Sequence, residues 1–88
     1  MTEKQKQFFK KLSYIQQYCV QVTLSKEGNY DSIEHMLKEI TAEAIYRVME
    51  LLDGYGDAIE KCKITETTSG EVINKDIELH DKCMEYLE

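Results

Sequence analysis

The segment from Ser32 to Asp53 constrains this chain most, because it reads as a capped helix with apolar residues on two opposite faces. At 100° per residue, Ile33, Leu37, Ile40, Ala44, Val48, Leu51 and Tyr55 fall within about 80° of one another. Ile45 and Leu52 widen that stripe. Asp31 is expected as the N-cap, with Glu34 as its capping-box partner. Gly54 stands where a left-handed residue closes a helix, and Tyr55 is expected to fold back on Met49 or Glu50. Thr41 is the weak point, since it could cap a fresh helix and divide the segment. Ala42, Tyr46 and Met49 lie about 180° from the main stripe. A helix with one buried face does not need them. Either this helix is central and covered on both sides, or the second patch meets a partner.

Three other stretches surround it. From Glu3 to Leu24, Phe8, Leu12, Ile15, Cys19 and Val22 recur at near-heptad spacing and predict a helix. Phe9, Val20 and Leu24 lie to one side of that stripe, Tyr14 and Tyr18 to the other, and Ser25 to Asn29 turns the chain. Between Cys62 and Asn74 the period changes to alternation. A short hairpin is predicted, Lys61–Glu66 paired with Glu71–Asn74 around Thr68-Ser69-Gly70. From about Lys75 to Leu87 a last helix is predicted, with Ile77, His80, Cys83, Met84 and Leu87 on one face. The expected fold is one mainly helical α+β domain over residues 1–88: two N-terminal helices, a short β-hairpin and a C-terminal helix. An all-α bundle is the alternative.

Eighty-eight residues make a small core whose stability is marginal, so association with a second copy or another protein is expected. The formal net charge is −6. Residues 1–26 carry five lysines against Glu3, a net +4, whereas residues 27–88 carry six basic and sixteen acidic groups, a net −10. A basic first helix therefore faces an acidic body, or steers toward an acidic partner. The overall charge argues against nucleic acid and anionic membranes as partners. Lysine far outnumbers arginine, and proline and tryptophan are absent, a bias that fits a low-GC bacterium or its phage.

No apolar run approaches the ~20 residues that span a bilayer. The Lys- and Gln-rich start does not read as an export signal, and three cysteines form no even framework. Reduced thiols in a cytoplasmic protein are the expectation.

Candidate chemistry is sparse. His80 and Cys83 share a face at i and i+3, and Cys62 on the hairpin could join them in a metal- or redox-responsive set. A structural zinc site needs four ligands, and no second pair is present. Asp53-Gly54-Tyr55-Gly56-Asp57 lacks the spacing of a calcium loop and the lysine of a phosphate loop. Neither His35, on a polar face, nor His80 pairs with a serine or cysteine as base and nucleophile. No catalytic residue, cofactor, metal or small-molecule substrate is assigned. Arg47, the only arginine, is flanked by Glu43 and Glu50. It is either an intrahelical ion pair or an arginine held at an interface.

These features point to a non-enzymatic interaction or regulatory module that self-associates or binds a protein partner. Phe9, Tyr14, Ala42, Tyr46, Arg47 and Met49 are its candidate interface residues.

Overall fold

A computed structural model describes residues 1–88. It contains three helices, α1 (Glu3–Ser25), α2 (Ile33–Leu52) and α3 (Leu79–Cys83), and no strand. The protein is mainly helical, and the all-α arrangement fits where the α+β one does not.

Helix α1 is opened by a capping box, in which Thr2 Oγ1 accepts from the Gln5 N–H and Gln5 Oε1 accepts from the Thr2 N–H. Such reciprocal capping satisfies two donors that the first turn leaves free. Helix α2 starts one residue later than expected. Ser32, in extended conformation, is its N-cap and accepts from the His35 N–H at 3.0 Å. The helix runs unbroken through Thr41, whose hydroxyl donates back to the Leu37 and Lys38 carbonyls. Its end follows the sequence expectation: Gly54 takes φ +88°, its N–H donates to the Leu51 carbonyl, and the Tyr55 N–H reaches the Glu50 carbonyl. This closure satisfies carbonyls that the last turn would otherwise leave free.

The two long helices run antiparallel. Lys26 at the end of α1 bonds Glu39 near the start of α2, Tyr18 meets Arg47, and Lys11 lies beside Gly56. Helix α3 packs on the other side of α2, where the His80 ring meets Tyr46 edge-on at 5.6 Å. Helix α2 is therefore the central element.

The predicted β-hairpin does not form. Thr65 and Val72 make one isolated antiparallel bridge, and two further backbone bonds, Glu66 N–H to Glu71 and Ile73 N–H to Ile64, complete the contact. The reason lies in Asn74. Its buried amide accepts from the Ile64 N–H at 3.0 Å and donates to the Cys62 carbonyl at 2.7 Å. A side chain thus takes the backbone groups that a second strand would have used. The last helix is also shorter than predicted. Asp76 adopts a positive φ and Glu78 is extended, so helical geometry begins only at Leu79.

The hydrophobic core is thin. Among apolar residues only Cys19 and Leu51 are buried, one from each long helix.

Candidate functional site

Two constellations stand out, one polar and closed, the other apolar and open.

The polar one is built where α2 ends and α3 begins. Asp53 is the C-cap of α2, and its side chain is completely shielded from solvent. One carboxylate oxygen accepts the Leu79 N–H at 2.9 Å. The other accepts the His80 N–H at 2.9 Å and the His80 ring Nδ1–H at 2.6 Å. Glu78, the N-cap of α3, makes no side-chain capping bond, so Asp53 caps this helix from outside it. Burial pushes the Asp53 carboxyl up. The donors from His80 and Leu79 outweigh that effect and hold it below its ordinary value. The hydrogen bond to Asp53 raises the His80 pKa against the effect of burial, with help from the charges of Asp53, Glu78 and Glu50. The Tyr55 ring packs 4.7 Å from His80, and its hydroxyl donates to Glu78. That bond, with desolvation and the nearby acidic charges, pushes the Tyr55 pKa up to about 12.

Asp53, Glu78 and His80 place potential ligand atoms within 4.8 Å of one another. Both Asp53 oxygens and the His80 Nδ1 are, however, already committed to mutual hydrogen bonds. A cation there would displace the bonds that seat α3, so the arrangement reads as a fastening. Cys62, His80 and Cys83 do not form a ligand group of this kind. The Cys83 thiol donates to the His80 carbonyl, and burial raises its pKa, as it does for Cys19. Raised thiol pKa values work against nucleophilic or metal-binding thiolates at neutral pH.

Arg47 joins the two long helices. Its Nε donates to Glu43 at 2.9 Å and Nη1 to Glu50 at 3.0 Å, while Nη2 reaches the Tyr18 hydroxyl at 3.2 Å. The guanidinium also lies over the Tyr18 ring, 4.9 Å from its centroid. The intrahelical ion pairs expected from sequence are present, and the structure adds a tether to α1.

The open constellation lies on the other side of the α1–α2 seam. A groove of about 400 Å³ runs between the helices, with Cys19 and Ala44 among its lining and Leu12, Val20, Leu24 and Val48 along it. No charged residue lines it. Val20 and Leu24 are 50% and 57% exposed at its edge, and Leu37 and Ile45 on α2 are exposed as well.

The sequence-derived interface residues divide between these regions. Phe9 and Tyr14 are exposed on α1. Ala42 is half-buried in a cleft that Met84 and Glu88 also line, and Tyr46 is half-buried against His80. Met49 and Arg47 are half-buried. Sequence reasoning did not find Leu12, Val20, Leu24, Ala44 and Val48 as one surface. A signal for it exists: Leu12 to Ser25 carries no charge at all, in a chain where 32% of residues are charged. Asp53 was equally hidden, because the partners of its carboxylate lie 26 and 27 residues away.

No family model matches the chain, and no curated protein and no solved structure matches it either. No helix is long and apolar enough to cross a membrane.

Proposed function

We propose that this chain is a cytoplasmic protein-interaction module that acts by binding and not by catalysis, through the uncharged open face of the α1–α2 hairpin. One observation carries the reading. The chain exposes 6702 Å², whereas a compact monomer of its mass is expected to expose about 5,400 Å². Its radius of gyration is 15.0 Å, against about 12 Å for a globular chain of this length. The surplus is not spread over charged loops alone, since Phe9, Val20, Leu24, Leu37 and Ile45 are all exposed on the two long helices. Val20 and Leu24 among them edge the uncharged groove. Apolar surface gathered at a helix seam is costly in water and is characteristic of sites that another protein covers.

A photo-crosslinking residue placed at Val20 tests this in the cell, with the same residue at Glu85 on the acidic C-terminal segment as control. A discrete protein adduct at Val20 and none at Glu85 is the expected outcome. No adduct at Val20, or equal smears at both positions, would contradict the proposal.

A further inference from the structure

We infer that the occupant of this groove is a second copy of the same chain, docked face to face about a two-fold axis. The inference rests on the interaction-surface reading above and adds the identity of the partner.

Area is the first argument. The surplus of about 1,300 Å² over a compact monomer exceeds the roughly 800 Å² that each partner buries in a stable interface of standard size. Burying a standard interface of about 800 Å² against a copy would remove more than half of that surplus.

Charge is the second. A chain of net charge −6 repels its own kind over most of its surface. The α1 face from Leu12 to Ser25 is free of charge, and so is the whole lining of the groove. Two copies can meet there without opposing like charges. The asymmetry between the ends then favours contact: residues 1–26 carry +4 and residues 27–88 carry −10, so each copy offers both signs. Lys4, Lys6 and Lys10 on one chain can face the acidic body of the other.

Shape is the third. An isologous contact must be complementary to itself. This face carries both a cleft, lined by small Cys19 and Ala44, and side chains that project from its edge, Val20 and Leu24. The projecting residues of one chain have a cleft of matching apolar character in the other. Two helical hairpins joined this way make a four-helix layer, the usual solution for helices with one uncovered stripe.

Sedimentation equilibrium of the intact chain is the test, read beside the variant Val20→Lys/Leu24→Lys. The wild type is expected at twice 10.3 kDa, and the variant at the monomer mass with its helical circular dichroism retained, since both positions are exposed in the single chain. Self-affinity is expected to weaken at least about 100-fold. If the lysine variant loses its helical signal, Val20→Ser/Leu24→Gln, which adds no charge, is read in the same way. A wild type that stays monomeric into the millimolar range overturns the inference, as does a folded variant that still dimerises. The two readings fail separately. A monomeric chain whose Val20 crosslinks to a different polypeptide removes the second copy and leaves the interaction surface standing. A chain with no Val20 adduct removes both.

Discussion

Asp53 and His80 are 27 residues apart in sequence and joined twice, because one oxygen of the shielded Asp53 carboxylate accepts both the backbone N–H and the ring Nδ1–H of His80. With the Leu79 N–H on its other oxygen, the carboxylate meets three donors and holds α3 to the end of α2. A five-residue helix has little stability of its own, so this anchor sets where the C-terminal segment sits.

Replacing the charge while keeping the shape should release that segment. Asp53→Asn retains one acceptor oxygen but turns an amide NH2 toward the remaining donors. The expected loss is about 3 kcal/mol of stability, the scale of a buried charge-assisted network broken on one side. Urea unfolding measures it. Amide exchange should show Leu79 and His80 losing protection before α1 and α2 do.

The pH dependence follows from opposite shifts in the same pair. His80 binds its proton more tightly folded than unfolded. Its contribution is complete below the unfolded value of 6.5 and disappears as pH rises through the higher folded one. Asp53 is shifted down, so its contribution is complete above 3.8 and disappears as pH falls through the lower folded value. Both operate together between pH 3.8 and 6.5, where the urea midpoint should peak. His80→Asn should flatten the decline on the alkaline side and reduce the acid-side decline without abolishing it, because the backbone donors of Leu79 and residue 80 still face Asp53.

Tyr55 supplies a spectroscopic reporter of the same region. Its hydroxyl donates to Glu78, and one of the six tyrosines should therefore ionise near pH 12 in an ultraviolet titration of the folded protein. In Glu78→Gln that step should move back toward 10, the ordinary tyrosine value. An unchanged titration curve would mean that the Tyr55–Glu78 bond does not hold in solution.

Two glycines with the same backbone sign should respond differently to alanine. Gly54 has φ +88°, and a Cβ there would stand 2.5 Å from the Lys61 nitrogen and 2.9 Å from its Cα. Both are backbone atoms that cannot rotate away. Gly54→Ala should cost about 3 kcal/mol or more, combining left-handed strain with the clash. Gly70 has φ +76° and open space around it, so Gly70→Ala should cost only the conformational penalty of about 1 kcal/mol. Thermal midpoints of the two variants compare them directly.

The legibility of these features in the sequence followed the range of the interactions behind them. Both long helices could be read because their apolar spacing and their Gly54 closure act within a few residues. Arg47 between Glu43 and Glu50 could be read for the same reason. The hairpin reading went astray because β-branched alternation reports extended backbone and not what pairs with it. At Cys62 and Ile64 the partner proved to be the Asn74 side chain. The metal or redox set of Cys62, His80 and Cys83 rested on shared direction along one helix, a local quantity that says nothing about where Cys62 lies.

The sequence by itself determined two amphipathic helices, the turn at Gly54, the charge asymmetry and the surplus of apolar side chains over what so short a chain can enclose. All are set by neighbours along the chain or by composition. Only the tertiary structure decided which surplus was covered. It placed the C-terminal segment over Ala42 and Tyr46 through the Asp53–His80 anchor, and left Leu12, Val20, Leu24 and Val48 along an open seam. Periodicity fixes the direction of each face about its own helix axis, and carries no information about which face a distant segment will reach first.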